Sequence, residues 1–162
     1  MSLSPGFVKI CGVQAPEHID WVAGAGATAV GLNFSPVSSR RVTSLQGKLL
    51  ADHARSLPAD LMLVGVFLDV TPDAINQIVD EVGLDVAQIH LRDKSFDLTA
   101  IASPVIPVLH PSPDDGSDAV RAGIDRILAT RSDIPAVLLD AWSATTIGGS
   151  GQLGNWDLAA QL

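Results

Sequence analysis

Apolar positions along the chain follow two alternating rhythms. Short β-branched or aliphatic runs at Phe7–Ile10, Ala27–Phe34, Leu61–Leu68, Val86–Ile89, Val105–Leu109 and Ala136–Leu139 have strand character. Longer stretches of helical period separate them, at about Pro16–Ala25, Leu45–Leu57, Pro72–Val82, Phe96–Ala102 and Ser117–Thr130. Thr71-Pro72-Asp73 is the clearest helix start: a capping hydroxyl, a proline at the first helical position and an acid in the first turn, with Gly83 as the stop. Strand and helix alternating without a hairpin signal imply a parallel sheet with right-handed crossovers. Two architectures satisfy that pattern. A flavodoxin-like doubly wound sheet needs about five parallel strands. A (βα)8 barrel usually takes about 250 residues, so 162 residues hold about six of its units. Length by itself favours the open sheet.

Composition narrows the partners. Apolar residues make up 47% of the chain, charged residues 17% and aromatics 4%, which suits a buried sheet of aliphatic strands. A formal charge of −8 argues against nucleic acid or an anionic membrane as the main partner, since either calls for a concentrated basic face. The strongest apolar stretch, Leu61–Leu68, is far short of the roughly 20 residues of a membrane span. Cys11 is the single cysteine, so no internal disulfide forms and the cytoplasm is the expected compartment. No domain boundary interrupts the chain. It reads as one domain over residues 1–162, with residues 1–6 as a disordered start or expression leader.

In parallel α/β folds the loops beyond the carboxyl ends of the strands form the binding surface. Here those loops are Ser35–Ser39, His110–Gly116 and Gly148–Gly154, all rich in Pro, Gly or Ser. Cys11 and Asp140 end the first and sixth strand candidates, so either architecture brings both to one edge of the sheet. A thiolate base and a carboxylic acid facing one pocket suffice for an isomerisation without a cofactor. The plainer reading leaves Cys11 as a small buried hydrophobe and Asp140 as a turn cap. Neither the dinucleotide fingerprint nor the P-loop is present.

"KICGV" at Lys9–Val13 resembles the first-strand motif of the phosphoribosylanthranilate isomerase family, a (βα)8-barrel family of tryptophan biosynthesis. The resemblance continues in order and spacing. "AGATAVGLNFSPVSSRRV" is similar to the second-strand segment with its S-P-R-x-V signature, with Ser39 where that signature has proline. "VGVF" at Val64–Phe67 matches the third strand, "GLDVAQIH" at Gly83–His90 the fourth, "LLD" at Leu138–Asp140 the sixth, and "GGSGQLGNW" at Gly148–Trp156 the glycine-rich loop that follows. Leu91 replaces a glycine, Pro107 replaces a residue able to donate, and His110 stands about where a basic residue is common.

The resemblance implies a barrel of about six βα units and an Amadori-type rearrangement of N-(5'-phosphoribosyl)anthranilate to its 1-deoxyribulose ketose, with no cofactor and no metal. Asp140 matches the general acid that opens the ribose ring and Cys11 the general base that takes the C2 proton. Arg40 matches an arginine suited to the anthranilate carboxylate, because its planar guanidinium holds both oxygens. Gln88 and His90 share one strand face and so point into the same interior, as substrate contacts or, for His90, as a hydrogen-bonded interior histidine. Gly149 and Gly151 belong to a lid whose amides reach substrate, or to a plain flexible connection.

The chain stops within the helix expected after the sixth strand, so the last two units, whose loops bind phosphate in such barrels, are expected to be missing. Exposed strand edges would then drive self-association. Three functions stay open: the isomerase itself, a catalytically incompetent fragment or assembly module of its lineage, and another sugar-phosphate enzyme on a related barrel.

Overall fold

The computed structural model describes residues 3, 6–91, 96–142 and 154–162. Six parallel strands follow one another in the sheet in chain order: β1 (Lys9–Cys11), β2 (Ala29–Asn33), β3 (Met62–Phe67), β4 (Val86–His90), β5 (Val105–Leu109) and β6 (Leu138–Leu139). Helices α1 (Pro16–Gly24), α2 (Ser44–Ser56), α3 (Pro72–Val82) and α4 (Ser117–Leu128) lie between them, and α5 (Trp156–Ala159) follows. This sequential order excludes the flavodoxin-like alternative, which requires the first strand to lie inside the sheet where the winding reverses. Here β1 is an edge, and the sheet curls as part of a (βα)8-type barrel.

Side-chain alternation splits the core into two. Val30, Leu32, Leu63, Phe67, Ala87, Ile89 and Val105 face outward and pack with Ile19 and Val22 of α1, Leu50, Ala51 and Ala54 of α2, and Ile75, Val79 and Val82 of α3. Ala29, Val64, Val86 and Ile106 point the other way into a smaller cluster that no helix residue joins. That inner face is apolar at this level. Towards the carboxyl ends of β1, β2 and β4 it turns polar, at Cys11, Asn33, Gln88 and His90. No described helix is long and apolar enough to cross a membrane.

The helix boundaries follow local chemistry. Thr71 accepts a bond from the Ala74 N–H, and Gly83 closes α3 in the left-handed conformation (φ 77°). At α2, Thr43 and Gln46 form a reciprocal capping box. The helix expected over Phe96–Ala102 is instead one 3₁₀ turn, Leu98–Ala100. Its donors and acceptors are captured from outside: Asn76 bonds the Ala100 carbonyl and the Ala102 N–H, and Asp97 accepts from the Thr99 N–H. Pro104 further disfavours helix at Ser103. The sixth strand is shorter than the run Ala136–Leu139 suggests, pairing only at Leu138 and Leu139.

Arg131 holds the turn in place. Its guanidinium donates to the carbonyls of Leu98, Ile101 and Ser103 and pairs with Asp133 at 2.6 Å. The side chain is only 12% exposed, so these bonds are made in a part-buried setting. Arg131→Ala is expected to destabilise the fold by about 2–3 kcal/mol, the usual scale for charged hydrogen bonds lost in a part-buried setting. Arg131→Lys should recover little, because an ammonium lacks the planar fork. Urea midpoints of the two variants check this; equal midpoints for all three proteins would show that Arg131 does not pin the turn.

Candidate functional site

The polar end of the inner face gathers side chains from five strand ends. Cys11 closes β1, and its register partner is Gly31 of β2. A side chain at Gly31 would sit 2.8 Å from Lys9 Nζ and 3.1 Å from Cys11 Sγ, so this glycine makes the space into which both residues project. Lys9 had no assigned role in the sequence reading. Its position two residues before Cys11, on the same strand face, was the available signal.

Gly12 takes φ 83°, a conformation that favours glycine, and its missing side chain seats Arg40. A Cβ there would lie 2.4 Å from Arg40 Nη1, which donates to the Cys11 carbonyl at 2.8 Å. The space over Gly12 therefore holds a guanidinium, brought from the β2 loop to the end of β1. Turns within that loop order it. Arg40 N–H bonds Ser38 Oγ, Arg41 N–H bonds the Ser38 carbonyl, and Asn33 accepts from the Ser35 N–H.

A second group crosses β4, β5 and β6. Gln88, buried, lies with Nε2 3.3 Å from His90 Nε2, and His90 Nδ1 is 3.0 Å from His110 Nε2. The two imidazole rings stack at 5.2 Å. His110 Nδ1 stands 3.9 Å from Asp140 Oδ2. Asp140 is fixed at its base by its own N–H on the Leu109 carbonyl, and its Oδ1 accepts from the Ala141 N–H. With the Gln88 amide donating, each imidazole passes its single N–H along the row, and the His110 N–H points towards the carboxylate.

Burial is the main reason that the His90 pKa falls from 6.5 to about 4. The neighbouring His110 and Lys9 push in the same direction, and Asp140 opposes them. His90 is consequently neutral at physiological pH. Cys11 and Asp140 both keep partial access to solvent, the Asp140 side chain at 30%. A cavity of about 690 Å³ on the helix side touches the group at His110 and is otherwise lined by residues such as Val120, Ile127 and Trp142.

Of the residues read from sequence, Cys11 and Arg40 meet at one end of the inner face, and Gln88, His90 and Asp140 stand along the other with His110 between them. Gly149 and Gly151 lie outside the described residues.

Comparison with known proteins gives the family. Residues 8–162 match the family model of N-(5'-phosphoribosyl)anthranilate isomerase. Isomerases of that name from Pelobacter propionicus and Acinetobacter calcoaceticus are 33% and 34% identical, over 94% and 95% of this chain and 68% and 70% of their own lengths. The crystal structure of phosphoribosyl anthranilate isomerase from Thermotoga maritima superposes with a TM-score of 0.71 at 28% identity, covering 94% of this chain and 69% of that one. The Thermus thermophilus enzyme gives 0.72 at 26%, covering 96% and 70%. A third structure, an isomerase in complex with reduced 1-(o-carboxyphenylamino)-1-deoxyribulose 5-phosphate, gives 0.64 at 27%, covering 85% and 66%. The chain belongs to the N-(5'-phosphoribosyl)anthranilate isomerase family.

Proposed function

We propose that this protein rearranges N-(5'-phosphoribosyl)anthranilate to 1-(o-carboxyphenylamino)-1-deoxyribulose 5-phosphate, with Asp140 as acid and Cys11 as base. The observation that carries this is the common placement of the two groups at strand ends on one inner face, in a chain of this family. Asp140 gives its proton to the ribose ring oxygen as the C1–O bond breaks, leaving a cationic Schiff base between C1 and the anthranilate nitrogen. Cys11, as thiolate, then takes the C2 proton, and the C–H electrons form the C1–C2 double bond while neutralising the nitrogen. The resulting enolamine gives up its enol proton and gains one at C1, which completes the ketose. No redox partner enters, and the atoms balance as an isomerisation.

Arg40 is positioned from Cys11 to hold the anthranilate carboxylate, using donors other than the one bound to the Cys11 carbonyl. His90, uncharged, and Gln88 serve as polar contacts on the opposite side. The free Cys11 suits a reducing, cytoplasmic setting.

Asp140→Asn and Cys11→Ser should each lower kcat by about 10²–10⁴-fold, the usual contribution of a positioned acid or base. Loss of anthranilate fluorescence as fresh substrate is consumed measures this. Turnover unchanged in either variant removes that residue from the mechanism.

The depressed His90 value also sets a pH dependence. An unfolded histidine takes up a proton below its ordinary pKa of 6.5, whereas folded His90 resists until about 4. Stability should therefore fall as pH drops through that window, and His90→Asn should flatten this part of the slope. An NMR titration that finds His90 protonating near 6.5 in the folded protein would contradict the assignment.

Self-association belongs to the same reading. Ile10 in edge strand β1 and Val8 just before it are 44% and 49% exposed, apolar surface that a second copy is suited to cover. Sedimentation at micromolar concentration should show a dimer or larger species, and Ile10→Lys should disperse it; a monomer throughout would refute the idea.

A further inference from the structure

Among the described residues, His90, His110 and Asp140 are the one group in which three metal-ligating side chains converge, a ligand atom of each lying within 4.8 Å of the others. We propose that they form a binding site for a borderline divalent transition-metal ion, zinc above all, and that the ion competes with isomerisation by occupying Asp140. A tetrahedral zinc holds nitrogen and oxygen ligands at about 2.0–2.2 Å, which sets the ligands roughly 3.3–3.5 Å from one another. Each residue offers one ligand atom, and the three lie within 4.8 Å of one another. His90 Nδ1 and His110 Nε2, 3.0 Å apart, are already near ligand spacing, and a side-chain rotation of Asp140 closes the remaining difference.

The chemistry of the pair suits exchange of a proton for a metal. Two imidazole nitrogens at this separation share one hydrogen, and a cation placed between the lone pairs releases it. The ligands stand at the ends of adjacent strands, so the sheet fixes their spacing. Two imidazoles and one carboxylate favour zinc over magnesium or calcium, which call for oxygen.

Gln88 supplies an independent observation. It is 4% exposed, and its Oε1 has no hydrogen-bond partner. A metal on His90 Nδ1 would leave Nε2 protonated, 3.3 Å from the Gln88 amide. Turning that amide over lets Oε1 accept the Nε2 hydrogen, which satisfies the orphaned oxygen and orients the ligand. Three protein ligands leave a fourth position for water. The metal-bound carboxylate has no proton to give, so occupancy and ring opening exclude each other. That last step rests on the reading of Asp140 as the acid; metal binding itself does not.

The test is titration of the purified chain with Co²⁺ and Zn²⁺, followed by calorimetry and by the visible absorption of tetrahedral cobalt. One zinc per chain is expected. His110→Asn and Asp140→Asn should each weaken it by at least about tenfold. His53→Asn, which alters only the surface pair with Asp20, should leave it unchanged. Absence of saturable binding, or the same affinity in His110→Asn, overturns the site. In turnover assays Zn²⁺ should inhibit with a midpoint matching the binding constant, and Mg²⁺ should not. Binding at this site that leaves turnover untouched would keep the metal site and overturn its competition with Asp140.

Discussion

Alternation of side chains along parallel strands is the constraint on which the site depends. In a sheet wound in one direction with its helices on one face, every second residue of every strand points inward, and strand direction puts all carboxyl ends at one rim. Residues far apart in sequence, Cys11 and Asp140 among them, are thereby brought to a common surface. The same parity places Ala29, Val64, Val86 and Ile106 deeper on that face, where they make an apolar floor. A one-residue slip in any strand would exchange floor and rim groups for outward-facing aliphatics, so register and chemistry are specified together.

Absent side chains matter as much as those present. Gly31 gives Lys9 and Cys11 their interior volume, and Gly12 gives Arg40 its seat over the end of β1. In both places a methyl group would meet neighbouring atoms at 3.1 Å or less. The basic end of the site is thus built around two glycines on neighbouring strands. Lys9 and Arg40 are both accommodated through them, which brings two cationic side chains to the end of β1.

Much of this was legible in the sequence because strand runs, the Thr71–Gly83 helix signals and the family motifs are local patterns. Cys11, Arg40, Gln88, His90 and Asp140 could be named for the same reason. Length misled on architecture: it favoured an open doubly wound sheet, whereas strand order, which no local pattern encodes, follows barrel winding. The expected helix at Phe96–Ala102 failed because its polar groups are taken by Asn76, Asp97 and Arg131, contacts that reach across up to 33 residues. The row from Gln88 to Asp140 was also hidden. Its histidines come from different strands, and no spacing in the chain announces that they stack.

The charge state of that row bears on the reaction. On the proposed mechanism, opening the ribose ring creates a cationic Schiff base in a site that already holds Lys9 and Arg40. Two protonated imidazoles beside Asp140 would add further repulsion against that cation, at distances where the effective dielectric is well below that of water. Burial acts against this outcome by holding His90 neutral, even with Asp140 close enough to favour the charged form. An uncharged imidazole can still orient its neighbour by hydrogen bonding without opposing the charge that develops. His90 therefore provides geometry without charge, and on the proposed reading of Asp140 as the acid its carboxylate remains a nearby counter-ion for the Schiff base.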